Sequence, residues 1–129
     1  MEISSGSLGH GLAIGVGLAL ELRAQRNPAR TVVRLGDAEL DAGSNHEAIV
    51  VAGAARLDGL TAIVVDNRSS SLGWPGGLAR RFASEGWAAE TVDGRPLRAW
   101  RAEGAVVLPQ STEGCGSRRA PTVLLDVAE

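Results

Sequence analysis

Lysine is missing from this chain, and cysteine is almost missing. All 13 basic residues are arginines, so no lysine amine is available to form a Schiff base with a carbonyl substrate. Cys115 is the single cysteine, which excludes an intrachain disulfide and a cysteine-rich metal site. The formal net charge is only -2, so electrostatics give no reason to expect binding to nucleic acid or to an anionic membrane. We expect a reducing, cytoplasmic setting.

The apolar run over residues 12–20 is too short to cross a membrane, because a spanning helix takes about 20 apolar residues. Residues 1–5 carry an acid and no base, which argues against a signal peptide. We therefore expect a buried helix here. Gly11, Gly15 and Gly17 each cost such a helix about 1 kcal/mol relative to alanine. We expect them to lie against a neighbouring backbone or a ligand.

The length of 129 residues suits one domain and is too short for two. Helix and strand signals alternate along the chain, which predicts an α/β fold, a three-layer sandwich with a mainly parallel sheet. We treat residues 1–129 as a single minimal domain. The predicted strands are 31–35, 60–65, 88–92 and 122–127, the predicted helices are 12–26, 48–57, 78–85 and 96–102, and residues 106–119 are predicted to be a loop.

The second predicted helix has clear boundary signals. Ser44 and Glu47 have the spacing of a capping box, in which each side chain accepts a hydrogen bond from the other residue's amide. Gly59 is placed to end the helix. His46 lies inside the box, so we interpret it as structural rather than catalytic. Because the helix is almost wholly apolar, it must be covered, and we expect association through residues 45–57.

Two polar residues follow the first two predicted strands. Asp37 and Asn67 lie one strand–helix–strand unit apart, so both should emerge at the carboxyl edge of the sheet, where open α/β sheets bind ligands. Carboxylate, amide and carbonyl oxygens suit Mg²⁺ or Ca²⁺, and nearby glycines let backbone amides approach phosphates. This pattern fits a metal-bridged diphosphate. It fits a pair of plain turns equally well, because Gly-Asp and Asp-Asn are common turn sequences.

Three ordered segments resemble the transketolase family and cover roughly residues 4–94. They are SGSLGHGLAIGVGLALELR, VVRLGDAELDAGSNHEAIVVAGAARLDGLTAIVVDNRSSSLG and RRFASEGWAAETVDG. They are similar to its diphosphate-binding domain, which is a separate chain in split transketolases. The resemblance implies thiamine diphosphate and Mg²⁺ (or Ca²⁺) as cofactors. It also implies two-carbon ketol transfer together with a pyrimidine-binding domain subunit, in a homo- or hetero-oligomer.

The resemblance also assigns residue roles. Asp37, Asn67 and the main-chain carbonyl of Ser69 match the family's metal ligands. The positions that match its cofactor-binding residues are Gly6, Ser7, Leu8, Gly36, Asp37, Ala38 and Asn67. His10 stands where split members often carry histidine and is a possible catalytic residue. No other catalytic residue can be assigned from the resemblance.

The chain departs from the family pattern at several places. Ala38 replaces the second glycine of the family's Gly-Asp-Gly, and its methyl could crowd an amide that faces the diphosphate. Ala42 stands where transketolases usually carry a glutamate that works at the dimer interface. The segment between Gly73 and Phe82 is several residues shorter than usual, and the family's N-terminal helices and its segment after the last strand have no counterpart. These departures keep open an alternative: a non-catalytic remnant that binds a diphosphate, a nucleotide or a protein.

Overall fold

The computed structural model describes residues 3–92 and 121–127. Its helices are α1 (Gly11–Ala24), α2 (Gly43–Ala55) and α3 (Gly77–Ser84), and its strands are β1 (Thr31–Gly36), β2 (Leu60–Asp66), β3 (Ala88–Val92) and β4 (Thr122–Val127). A short 3-10 helix over Asp37–Asp41, called the acidic turn below, joins β1 to α2. The predicted helix at 96–102 and the predicted loop at 106–119 lie outside the described residues.

The four strands form one sheet in the order β1-β2-β4-β3, and all neighbours are parallel. This confirms the predicted α/β class and the predicted parallel sheet. Gly36 pairs with Val65, so β1 and β2 end at the same edge, as predicted. The helices between parallel strands make the crossovers that such pairing requires.

The core lies between one face of the sheet and the three described helices. Alternate residues of β1 and β2 point into it and are joined by apolar residues of all three helices. The cluster consists of Leu12, Val16, Ala19, Val33, Leu35, Leu40, Ala48, Ile49, Ala52, Leu57, Leu60, Ala62, Val64, Phe82 and Trp87. On the opposite face of β1, Val32 and Arg34 are exposed. The described residues thus form two of the three expected layers, the sheet and one helix layer.

The predicted boundaries of α2 are wrong at both ends. The helix begins at Gly43 with Ala42 as its N-cap and without a side-chain cap, so the predicted capping box of Ser44 and Glu47 does not form. Ser44 lies inside the first turn and its hydroxyl donates to a distant carbonyl instead. At the other end, Arg56 takes the left-handed conformation that ends the helix, three residues before Gly59. Gly59 instead accepts a backbone hydrogen bond at the start of β1.

The glycines of α1 have different surroundings. A Cβ on Gly15 would lie 2.2 Å from a methyl of Val33, so this glycine allows α1 to approach β1 closely. Gly11 has only ordinary contacts, and Gly17 has no atom within 4 Å and is exposed. The prediction of close packing is therefore confirmed for Gly15, against a side chain rather than a backbone, and is wrong for Gly17. Within the described ranges no helix is both long and apolar enough to cross a membrane.

Among the described glycines, the closest approach to another element is at Gly53 of α2. A Cβ there would lie 1.8 Å from the backbone oxygen of Glu85, which follows α3. Nearby, the indole N–H of Trp87 donates to the carbonyl of Ile49 at 2.9 Å. Because the obstacle at Gly53 is backbone, a side chain at this position would force α2 and the end of α3 apart.

We expect Gly53→Ala to lower the free energy of unfolding by about 1–3 kcal/mol, the usual cost of overpacking a core. The matched control is Gly17→Ala, also within a helix but with open space around it. It should raise stability by about 0.5–1 kcal/mol, because glycine is the poorer helix former. Urea unfolding of both variants tests the pair. Equal effects of the two substitutions would contradict the close approach at Gly53.

Candidate functional site

Asp37 is the first residue of the acidic turn and lies at the carboxyl end of β1. Only 2% of its surface is exposed. Its Oδ1 accepts hydrogen bonds from the hydroxyl of Ser69 at 2.6 Å and from the amide of Ala38 at 2.9 Å. Its Oδ2 accepts from the amide of Ser70 at 3.0 Å. The carboxylate therefore contacts the loop that follows β2, which we call the serine loop (residues 67–72).

The surroundings of Asp37 keep it ionised. Burial alone raises the pKa of this carboxyl, but the hydrogen bonds from Ser69, Ser70 and Ala38 favour the charged form and hold its pKa below the ordinary value of 3.8. Asp37 is thus a buried anion at the end of β1 that contacts the loop after β2. A buried anion with further oxygen ligands nearby is suited to a hard cation.

Asn67 and Ser69 follow β2 at the same edge. Asn67 Oδ1 accepts a hydrogen bond from the amide of Ser69 at 3.2 Å, which curls the serine loop back toward Asp37. Both residues are exposed. The amide of Ser70 points at Asp37, and in a trans peptide the carbonyl of the preceding residue points the opposite way. The Ser69 carbonyl, the third predicted ligand, therefore faces away from Asp37 in this conformation.

Asp41, at the other end of the acidic turn, was not recognised in the sequence as part of the site. Its Oδ1 accepts from the hydroxyl of Ser70 at 2.6 Å. Its Oδ2 accepts from the amide and the hydroxyl of Ser71 at 2.7 and 2.9 Å, and from the amide of Leu72 at 3.4 Å. These bonds lower the pKa of Asp41 below 3.8, and the hydrogen bond from the Ser70 hydroxyl lowers it most. Three acids after one strand and three serines after the next were the available signal.

Glu39 and His46 support the acidic turn. The Glu39 carboxylate accepts from the amide of Gly36 at 3.2 Å, so the amide of this predicted cofactor residue is already bonded. The buried side chain of Asn45 donates to the Glu39 carbonyl. His46 hydrogen-bonds the carbonyl of Leu40 through Nε2 at 3.1 Å, and its ring lies 4.7 Å from that of Trp74. These contacts agree with a structural role for His46.

The glycine-rich loop before α1 lies against the start of α2. The hydroxyl of Ser44 donates to the carbonyl of Gly9 at 2.7 Å. Gly9 has a φ of +82°, and a Cβ on it would lie 2.3 Å from the Cβ of Ala42. A Cβ on Gly11 would lie 3.9 Å from Glu39. As predicted, α1 therefore begins near the edge that carries Asp37.

The other predicted site residues of this loop are exposed: Gly6, Ser7, Leu8 and His10. Gly6 has no atom within 4 Å of the position its Cβ would take. Their assignment to the cofactor, and the possible catalytic role of His10, stay predictions. Ala38 does not have the positive φ that would require glycine. The alanine side chain therefore causes no backbone strain at this position. The amide of Ala38 donates a hydrogen bond to Asp37.

A cleft of about 240 Å³ opens at this edge of the sheet. It is lined by Asp37, Asp66, Arg68, Ser70, Leu72, Gly73, Trp74, Gly77 and Leu78. A larger cleft of about 620 Å³ lies at the opposite edge, where Arg23, Arg26 and Arg30 line it, far from Asp37. We place the candidate site at the smaller cleft because Asp37 lines it, although the predicted ligands Asn67 and Ser69 are not among its lining residues.

Within residues 3–92 and 121–127, no three His, Cys, Asp or Glu side chains form a metal cluster. A cation at Asp37 would therefore depend on amide and carbonyl oxygens, and on oxygens of a bound ligand. That donor set suits Mg²⁺, which usually takes one or two carboxylates together with phosphate oxygens and water.

A family model described as "Transketolase, thiamine diphosphate binding domain" matches residues 1–99. The chain belongs to this family. Solved transketolases agree: the enzyme from Leishmania mexicana superposes with a TM-score of 0.72 at 25% identity, and a mutant enzyme from Pichia stipitis with 0.75 at 26%. Each match covers 98% of this chain and 20% of the solved one. The predicted resemblance and fold are confirmed.

Relatives by sequence are much longer than this transketolase-family chain. "Ferredoxin fas2" of Rhodococcoides fascians is 53% identical over 95 residues, which are 73% of this chain and 31% of that protein. A putative transketolase family protein of Sinorhizobium fredii is 38% identical over 77% of this chain and 38% of its own length. One subunit of an apulose-4-phosphate transketolase of Phocaeicola vulgatus is 40% identical over 53% of this chain and 24% of its own length. The chain thus spans 24–38% of the length of these relatives.

The lowered pKa values of Asp37 and Asp41 predict acid sensitivity of this transketolase-family domain. A carboxyl with a depressed folded-state pKa adds stability above its unfolded value, and that stability is lost as the pH falls through the folded value. The free energy of unfolding should therefore decrease from about pH 5 to about pH 2. Asp41→Asn should be less stable than the wild type at neutral pH and should lose less on acidification. Urea unfolding across this range tests it, and a pH dependence unchanged in Asp41→Asn would contradict it.

Proposed function

We propose that this chain is a transketolase-like subunit that anchors the diphosphate of thiamine diphosphate through Mg²⁺. Asp37, Asn67 and the Ser69 carbonyl would hold the metal, and the diphosphate would lie beside residues 36–38. The observation that best supports this is the buried, ionised Asp37 at the carboxyl edge of a parallel sheet, touching the loop after the next strand. The family match to a thiamine diphosphate-binding domain supports the same ligand.

The division of work between protein and cofactor follows from this assignment. When bound, thiamine diphosphate supplies the carbanion chemistry of ketol transfer. This chain would contribute binding and orientation: an anion for the metal, an amide oxygen beside it, and the positive end of α1 close to the same edge. The glutamate that activates the aminopyrimidine ring belongs, by family resemblance, to a pyrimidine-binding domain, for which we propose a separate partner chain.

The names of the relatives support a divided enzyme. Two of them are named as one subunit of an apulose-4-phosphate transketolase, and another is a 6-deoxy-6-sulfo-D-fructose transketolase subunit. Because these names point to different sugars, the proposal extends to two-carbon ketol transfer and not to one donor or acceptor. It includes a cytoplasmic location, where sugar phosphates are metabolised, and excludes nucleic acid and membrane as partners.

One observation favours the alternative, a non-catalytic remnant that binds a diphosphate, a nucleotide or a protein. By the resemblance, Ala42 replaces the interface glutamate of the family, and a Cβ on Gly9 would lie 2.3 Å from its Cβ. The glycine-rich loop thus approaches the start of α2 closely at a position where, by the resemblance, the family has a carboxylate. Diphosphate binding without ketol transfer, in the presence of the partner chain, would select this alternative.

We expect the chain alone to bind thiamine diphosphate weakly and to catalyse nothing measurable. Charge-assisted contacts typically contribute about 1.5–3 kcal/mol each, against an entropic cost of association of about 4–15 kcal/mol. Mixing with a pyrimidine-domain partner should restore binding and activity together, and Asp37→Ala should abolish both. Calorimetry with and without Mg²⁺ measures the binding. Asp58→Ala, at the opposite edge of the sheet, is the control that should bind normally. Robust ketol transfer by the chain alone would contradict the proposal.

An apolar surface on α1 and α2 is the basis for proposing an oligomer. Ile14 and Leu18 of α1 and Val50 and Val51 of α2 are each 38–46% exposed. The two helices contact each other, so these side chains belong to neighbouring surfaces. Exposed apolar groups on adjacent helices favour association.

We expect the chain to associate through this surface. The double substitution Val50→Asp and Val51→Asp should shift the molecular mass toward the monomer in light scattering at micromolar concentration, because it places two charges in an apolar interface. Val32→Asp, with similar exposure on β1, is the control that should leave association intact. A monomeric wild type, or dissociation caused only by Val32→Asp, would contradict an interface on α2.

A further inference from the structure

We propose that Ser69 and the Ser69–Ser70 peptide form a latch on Asp37 that a divalent cation has to displace. The latch consists of the Ser69 hydroxyl on Oδ1 and the Ser70 amide on Oδ2 of Asp37. This inference rests on the proposed function, because it concerns the same metal site. It adds a regulatory element: cation binding competes with a contact inside the protein.

The hydrogen bonds occupy most of the accepting capacity of Asp37. Each carboxylate oxygen has about two lone-pair sites. Oδ1 accepts from both Ser69 and Ala38, so its sites are filled, and Oδ2 accepts from Ser70, so one remains. With the latch closed, Asp37 can offer a cation at most one lone pair. Release of the Ser69 hydroxyl frees one more.

The peptide between Ser69 and Ser70 has the wrong orientation for the predicted ligand set. Because Ser70 N–H points at Oδ2, the Ser69 carbonyl oxygen lies in the same peptide plane on the opposite side of the C–N bond, about 5 Å from Oδ2 by standard backbone geometry. Two oxygens bound to one Mg²⁺ lie at most about 4.2 Å apart, twice the metal–oxygen distance. The Ser69 carbonyl and Asp37 Oδ2 can share a cation only after this peptide turns over, which breaks the Ser70 bond.

Asp41 confines the change to that one peptide. It holds the hydroxyl of Ser70, the amide and hydroxyl of Ser71 and the amide of Leu72. None of these groups belongs to the Ser69–Ser70 peptide. The peptide can turn while the following residues stay attached to the acidic turn. The latch therefore opens locally, without displacement of the serine loop as a whole.

The test compares two serine hydroxyls of the same loop in the full chain. Ser69→Ala removes a donor to Asp37 and keeps the backbone carbonyl, so it should raise the affinity for Mn²⁺, with Mg²⁺ as competitor, by roughly tenfold. Ser71→Ala removes a hydroxyl that donates to Asp41 rather than to Asp37 and should stay within about twofold of the wild type. Electron paramagnetic resonance measures free Mn²⁺ directly. In ¹⁵N-labelled protein, Mg²⁺ should shift the Ser70 amide resonance as its bond to Asp37 breaks.

Each outcome decides a different point. An increase in Ser69→Ala alone, with a shifted Ser70 amide, supports the latch. An unchanged or weaker affinity in Ser69→Ala, while Asp37→Ala abolishes binding, overturns the latch and leaves the proposed metal site standing. Binding that survives Asp37→Ala overturns both, and so does the absence of binding by the wild type and Ser69→Ala alike when thiamine diphosphate is present to supply phosphate oxygens. A Ser70 amide that does not move while Asp37 binds the cation overturns the reorientation of the peptide.

Discussion

Hydrogen bonds between the acidic turn and the serine loop join the carboxyl ends of β1 and β2, and the arrangement of this edge depends on them. Asp37 and Asp41 stand at the two ends of the turn, and both accept from serines of the loop. Parallel pairing brings the ends of the two strands together but does not determine the conformation of the loops that follow them. Here six donor groups of the serine loop bond the carboxylates of Asp37 and Asp41 in the acidic turn, and these bonds determine the conformation of the loop.

The strands and the shared edge that carries the candidate site could be predicted from the sequence because both follow from local pattern. A continuous apolar run such as residues 60–65 is typical of a strand buried on both faces, and a polar residue after each of two consecutive parallel strands has to lie at their shared edge. The predicted capping box of Ser44 does not form, because the partner of its hydroxyl is distant in sequence. Spacing shows which partners a hydroxyl could have nearby, and the hydroxyl instead bonds Gly9, 35 residues away.

The detail of the site was less predictable than its place. The two extra acids of the turn have separate uses: Glu39 bonds the Gly36 amide, and Asp41 holds the serine loop. Composition shows the acids and the serines but not which pairs form, because that depends on the path of the loop. The orientation of a single peptide, such as that between Ser69 and Ser70, depends on two dihedral angles that no residue type here determines. The surroundings of a glycine are equally hard to predict. Gly15 and Gly17 look alike in sequence, but of the two only Gly15 has another element close to the position of its Cβ.

The order β1-β2-β4-β3 has a consequence for how the sheet is built in time. β4 lies between β2 and β3, yet it comes later in the chain than either. Until it pairs, β2 and β3 present open edges, and closing the sheet requires contacts between residues about 60 positions apart along the chain. Such late, long-range pairing slows folding and leaves strand edges open to other chains. A strand placed in this way would therefore favour a partner that covers the open edges early in folding.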